Sequence, residues 1–257
     1  MLRLKKKKNN KGLIVTHNKN YPPENTEKKM LIAIHQPQYL PWLGYLDKID
    51  KADVFVILDN VQFKKNEWQN RNRIKTAQGC QWITVPVLYR FPEKINEVMI
   101  NNKAHWGRKH LQALITNYSK SPCYDKYISF FENIFSRNWE RLVDINVEII
   151  KFLITTLDLK TRLVMASDLE LREGPTERLI DICKALESNK YLAGKDGNKY
   201  MNLELFDQEG IEVIFQDFKH PVYNQLFGDF EPYMSAIDLL FNCGDDSLEI
   251  LRGQTNT

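Results

Sequence analysis

Two short clusters hold the side chains of this sequence best suited to chemistry. The first is His35-Gln36-Pro37-Gln38-Tyr39-Leu40-Pro41-Trp42. The His35 imidazole can serve as a general base or hydrogen-bond a phosphate; its alternative is a hydrogen bond to the backbone of its own loop. Gln36 and Gln38 can read a nucleobase, a sugar hydroxyl or an amide, because each carries both donor and acceptor. Tyr39 and Trp42 offer faces on which a base or a pyranose stacks, or they pack beneath the loop that Pro37 and Pro41 stiffen. The second cluster is Trp68-Gln69-Asn70-Arg71-Asn72-Arg73, with Lys75 close behind. Guanidinium forks match phosphate and carboxylate oxygens, so Asn70 to Arg73 form a clamp for an anion or a nucleotide sugar.

Smaller groups add to these. Asp59 and Asn60, next to Gln62, carry a carboxylate that can bind ribose hydroxyls, hold Mg²⁺ or accept a proton, or simply cap a turn. Gly194, Lys195 and Gly197 in YLAGKDGNKY either cradle a phosphate with backbone N–H groups or form an ordinary tight turn. The segment QDFKHPVYN contributes His220 and Tyr223, and EPYMSAID offers Ser235 and Asp238. His105 and His110 are five residues apart on a predicted helix, which puts them on different faces and excludes the four-residue spacing of a zinc protease. No nucleophile, base and orienter assemble from spacing, so a serine or cysteine hydrolase is unsupported.

The elements that must position these groups follow from hydrophobic pattern. LIAIH at 31–35 and VFVIL at 54–58 are short apolar runs with β-branched residues, as in strands buried on both faces of a parallel sheet. Leu43, Leu46 and Ile49 between them lie at helical spacing, with Pro41 as an opening residue. This βαβ order puts His35 at the carboxyl end of a strand, where open α/β sheets bind ligands. KKNEWQNRNRIKT reads as a long loop before a third strand, QWITVPVLY. Residues 101–157 turn helical, an insertion of three segments, and strands then alternate with helices to SAIDLLFNCG, which stops at Gly244. The fold class expected is α/β: a Rossmann-like, mostly parallel sheet with helices on both faces.

Composition bounds the partners. With 43% hydrophobic residues in 257, the chain can bury a full core. The net charge of +3 is supplied largely by lysines before Met30, so global charge does not indicate nucleic acid. The local cluster Lys64, Lys65, Arg71, Arg73 and Lys75 either meets phosphates or forms a solvated face. The four cysteines are far apart, without zinc-site spacing, and read as reduced thiols of a cytoplasmic protein. No metal site is expected and no run is long enough to span a bilayer. Residues 1–29 read as a disordered extension, 30–250 as a single α/β domain with the insertion, and 251–257 as a tail.

HQPQYLPWLGYLDKI, QNRNRIKT, WITVPV, YLAGKDGNKY and FGDFEPYMSAIDLLFNCG together resemble the WbqC-like family, over about Leu31 to Gly244. That resemblance implies a role in bacterial O-antigen or surface-polysaccharide biosynthesis, with glycine transfer to amino sugars proposed for the family, and it marks Asn70 to Arg73 and Lys75 as motif positions. More remotely, the strand, His/Pro loop, Gly44 and helix are similar to adenylyl-transferring enzymes with a HIGH-type motif. Tyr45 stands where the second histidine of that motif would follow Gly44, so phosphate chemistry by a histidine pair is not supported.

The function expected is transfer of an aminoacyl or acyl group to the amine of a nucleotide-linked amino sugar. That chemistry needs a base and oxyanion donors. His35 is assigned as base, Asn70 or Asn72 as polarising groups, and Arg71 and Arg73 as pyrophosphate ligands; Gln36, Gln38, Tyr39, Trp42, Asp59, Gln62, Lys75, His220 and Tyr223 complete the substrate contacts. If the protein activates the amino acid itself, ATP and Mg²⁺ follow, with Asp59 as metal or ribose contact. The alternatives are a nucleotide-sugar or partner-binding protein without chemistry, and a tRNA or other nucleic-acid binder.

Overall fold

Residues of alternating direction build the centre of the molecule, and a computed structural model describes residues 30–254. The extension expected at residues 1–29 lies outside the described residues, as do residues 255–257 of the tail. The first unit is β1 (Leu31–His35), α1 (Leu43–Lys51) and β2 (Val54–Ile57). A hairpin of β3 (Arg71–Thr76) and β4 (Gly79–Thr84) follows, then the short antiparallel pair β5 (Val87–Leu88) and β6 (Met99–Ile100). Next come α2 (Trp106–Tyr118), α3 (Tyr124–Ser136) and α4 (Leu142–Thr156). The α/β rhythm resumes with β7 (Arg162–Met165), α5 (Pro175–Ala185), β8 (Lys190–Ala193), α6 (Leu203–Gln208) and β9 (Glu212–Phe215), and the chain closes with α7 (Ala236–Cys243) and α8 (Ser247–Leu251).

Five strands form one parallel sheet in the order β7-β2-β1-β8-β9. Its two faces are the two periods of its strands. Ala33, Phe55, Ile57 and Leu192 face a core shared with α1, the three helices α2 to α4, and α7. Ile32, Ile34, Val54, Val56, Tyr191 and Ala193 face the opposite core, closed by Leu179 and Ile182 of α5 and Phe206 of α6. Each fully buried aliphatic side chain of this kind stabilises the fold by roughly 1.5–3 kcal/mol. The architecture is the α/β, Rossmann-like one that the strand and helix alternation predicts.

Two segments differ from the sequence reading. The stretch expected as a loop through Arg71–Thr76 is a strand, because its inward positions Asn72 and Ile74 are buried while Arg71 and Arg73 stay half-exposed. Over residues 71–74 the alternation is present in burial but hidden in polarity, since an amide occupies an inward position, and Lys75 and Thr76 are both buried. The single strand expected over QWITVPVLY is split at Pro86, which has no N–H to donate, and neither piece joins the parallel sheet.

Candidate active site

The crevice of the sheet is set by where pairing stops. β1 pairs with β2 as far as His35 opposite Ile57, but with β8 only as far as Ala33 opposite Leu192. The chain runs outward from β1 through β2 to β7, then restarts on the other side with β8 and β9. The gap beyond Ala33 is therefore the topological switch point, where the loops after two neighbouring strands leave in opposite directions. Two cavities of about 460 and 420 Å³ open there, and His35, Gly194 and Tyr200 line both.

The larger of the pair is cationic. Lys48, Lys64 and Arg178 line it with Gln36, Gln62, Leu58, Leu179 and Tyr191, and no carboxylate is among its lining residues. Lys48 lies on α1 but is buried, and its Nζ donates to the Ile34 carbonyl oxygen at 2.9 Å. Burial in this setting pushes its ammonium down to about 7.

The second cavity is aromatic, lined by Trp42, Tyr45, Tyr200, Phe218, His220 and Tyr233 with Gln216, Lys195 and Asp196. The Trp42 ring meets Phe218 and Tyr233 at centroid distances of 5.6 and 5.7 Å. Gly44 makes this placement possible: a Cβ there would stand 2.2 Å from Cη2 of Trp42. His220 has both ring nitrogens engaged, Nδ1 donating to the Pro221 carbonyl and Nε2 accepting from the Tyr233 N–H.

His35 is half-buried at the boundary of both cavities. Its Nδ1 lies 3.0 Å from the Gln36 carbonyl oxygen, which can only accept, so Nδ1 carries the proton and Nε2 holds a lone pair. Burial, and the neighbouring Lys48 charge, lower its pKa to about 4, against the opposing pull of the Gln36 carbonyl. At neutral pH the imidazole is uncharged and its Nε2 is a hydrogen-bond and proton acceptor. A third cavity of about 200 Å³, lined by His35, Gln36, Gln38, Lys64, Glu67, Trp68 and Gln69, adjoins it. The Gln69 amide fixes Gln36 through Oε1 at 2.7 Å.

Of the side chains singled out in the sequence, His35, Gln36, Gln38, Trp42, Gln62, Lys64, Trp68, Gln69, Lys195 and His220 line these cavities. The others are placed differently. Tyr39 is buried and its hydroxyl bonds His110 Nδ1 at 2.8 Å, so it packs beneath the loop. Asn72 is wholly buried, its amide donating to the Tyr39 and Leu40 carbonyls while Oδ1 accepts from the Arg73 N–H. Asn70 donates to the Val85 carbonyl. Both asparagines thus hold backbone rather than polarising a carbonyl, which corrects the catalytic role expected of them. Asp59 is buried against the Ser167 N–H at 2.9 Å and does not line the cavities, so the carboxylate expected to serve Mg²⁺ or ribose is not offered to them.

Lys75 and Tyr223 belong to a buried clasp. Asp238 accepts from Tyr118 at 2.9 Å, Tyr223 at 2.8 Å and Gln225 at 2.7 Å, while Lys75 Nζ binds Gln225 Oε1 and the Asp229 carbonyl. Arg71 and Arg73 lie on the outer face of the hairpin, where the Arg71 guanidinium stacks on the exposed Trp82 ring at 4.3 Å and Arg73 lies 5.7 Å from it. A further cavity, about 830 Å³, is between the start of α2 and the end of α3, away from the strand ends, and its cations Arg108, Lys109 and Arg137 are all exposed. Lys48, Arg178, Tyr191, Tyr200, Gln216, Phe218 and Tyr233 are among the cavity residues that sequence reasoning missed. Among the described residues no group of three or more histidine, cysteine or acidic side chains could hold a metal, and no helix is long and apolar enough to cross a membrane.

A family model described as "WbqC-like protein family" matches residues 36–250. The chain is also 38% identical over 225 residues to a protein of Mycobacterium tuberculosis (strain ATCC 25618 / H37Rv) described as "Uncharacterized protein Rv1507c", covering 86% of this chain and 97% of that one. No solved structure matches the chain.

Proposed function

The chain belongs to the WbqC-like protein family, and on that premise we propose that it is a cytoplasmic enzyme of bacterial surface-polysaccharide biosynthesis that transfers an aminoacyl or acyl group, glycyl among them, to the amine of a nucleotide-linked amino sugar. One observation carries this reading. His35 forms a common wall between a cationic cavity suited to phosphates and an aromatic cavity suited to a sugar ring. The diphosphate and the sugar of one nucleotide-linked substrate can therefore lie on either side of one neutral imidazole, with Nε2 beside the sugar's amine. The amine attacks the carbonyl of an activated acyl donor, the new C–N bond forms, and the bond to the donor's leaving group breaks. Nε2 of His35 takes the ammonium proton and returns it to the leaving group or to water.

The reading is tested by incubating the protein with UDP- and dTDP-amino sugars and either glycyl-tRNA or glycine with ATP and Mg²⁺, followed by mass spectrometry. A sugar nucleotide heavier by one glycyl residue, lost in His35→Gln while nucleotide-sugar binding persists, supports it. Binding without turnover under every donor condition sinks it in favour of a binding module. A nucleic-acid reading is favoured only by the exposed Trp82 stacked with Arg71 and Arg73; it predicts tRNA affinity that falls steeply with salt and with removal of either arginine.

A further inference from the structure

Lys48 is a buried lysine without a carboxylate partner among the described residues. Its head group stands where β1 and β8 part. The Ile34 carbonyl lies just beyond the last paired residue, Ala33, and Lys48 reaches it from α1 on one face of the sheet. The same side chain lines the cationic cavity with Leu179 and Tyr191 of the other face. An unpaired ammonium in that position is costly unless something brings it a negative charge.

Among the described residues, the groups that face it supply no such charge. On β1 stands His35, neutral above about pH 4; on β8, Tyr191, whose ring centroid is 5.9 Å from Nζ. Tyr200 and Lys64 come from loops and Arg178 from α5. Burial raises both tyrosines above their ordinary range, so they stay protonated near neutrality. Lys48 is thus the residue facing this cavity whose charge a bound anion would change.

We propose that the cationic cavity is the seat of the diphosphate of the nucleotide-linked substrate, and that Lys48 takes up a proton from solvent as the diphosphate binds. The identity of the ligand rests on the function proposed above; the anion site and its proton do not. Arg178 and Lys64 supply standing charge for the remaining phosphate oxygens, and the ammonium formed on Lys48 donates to one of them while keeping Ile34.

Titration calorimetry at pH 8.5 in buffers of different ionisation enthalpy tests this, with UDP-glucose, dTDP-glucose and the symmetric dimethyl diester of pyrophosphate as probes. None of the three carries a group that titrates near neutrality. The expected result is uptake of close to one proton per site, and affinity that weakens by up to about tenfold per pH unit above 7. Lys48→Arg, permanently charged, should bind with no uptake and a flat pH profile, and Lys48→Met should bind weakly with no uptake. Uptake with the diester but no binding of either nucleotide sugar keeps the anion site and removes the nucleotide-sugar reading. Binding without uptake, uptake that survives in Lys48→Arg, or no binding of any probe overturns the proposal; the wild-type measurement decides even if a variant fails to fold.

Discussion

The side-chain amide of Asn72 donates to the Leu40 carbonyl at 2.6 Å and to the Tyr39 carbonyl at 3.2 Å. Leu40 has a φ of 45°, a left-handed conformation that a leucine adopts only when its surroundings impose it. The hairpin thus holds the loop that carries His35, Gln36 and Gln38 in a bent form. Asn72→Ala should lower stability by about 1–3 kcal/mol, since two buried carbonyls lose their partner. Denaturant unfolding measures the loss. Wild-type stability in the variant would show that the loop holds its own conformation.

How legible this was in the sequence depends on which level fixes each residue. The βαβ unit and the placement of His35 at a strand end were readable, because apolar runs and helical spacing are local. Asn72 reads as a ligand contact in sequence because an amide looks the same whether it faces a substrate or a carbonyl; only the fold of the hairpin against the loop decides. Lys48 was missed for the opposite reason. Within LGYLDKIDK it looks like a solvated charge, and its burial arises from the parting of two strands far apart in sequence. One faint signal existed: Lys48 follows Tyr45 by three residues, on the flank of the apolar stripe Leu43, Leu46 and Ile49.

Two imidazoles, His35 half-buried and His110 buried, set an acid limit. Burial lowers both His35 and His110 to about 4, below the ordinary histidine value of 6.5. A folded pKa below the unfolded one means that the unfolded chain binds more protons between those values. The contribution of these two histidines is therefore full above about pH 6.5 and is lost as pH falls towards 4, by an amount on the order of 3 kcal/mol per histidine. His110→Gln should remove about half of that dependence, as it takes one of the two groups away. Unfolding free energy measured from pH 7 to pH 4 checks this, and an unchanged slope in the variant would exclude His110.

The Asp238 clasp predicts a stability effect separate from the cavities. Tyr223→Phe removes one of the donors to the buried Asp238 carboxylate, which retains Tyr118 and Gln225. A loss of about 1–3 kcal/mol is expected for the deleted charge-assisted bond. Ligand affinity at the His35 crevice should be unchanged, since Tyr223 lines neither cavity. Thermal unfolding and titration of UDP-glucose on the same sample separate the two; weakened binding at unchanged stability would put Tyr223 in the site.

Gly44 offers the sharpest probe of the aromatic cavity. Ala is favoured over Gly within a helix by about 1 kcal/mol, so Gly44→Ala in α1 gains in propensity. The added Cβ, however, would lie 2.2 Å from Cη2 and 2.5 Å from Cζ2 of Trp42, and the ring must move. Its neighbours Phe218 and Tyr233 limit that movement to a displacement into the cavity or out towards solvent. Either displacement disturbs the surface proposed for the sugar and leaves the cationic cavity, which Trp42 does not line, as it was. Nucleotide-sugar affinity should then fall by roughly tenfold, the equivalent of ~1.4 kcal/mol, with binding of the dimethyl diester of pyrophosphate unaffected. Equal loss for both probes would instead mean that the helix start itself had shifted, and that the two cavities do not bind their halves of the substrate independently.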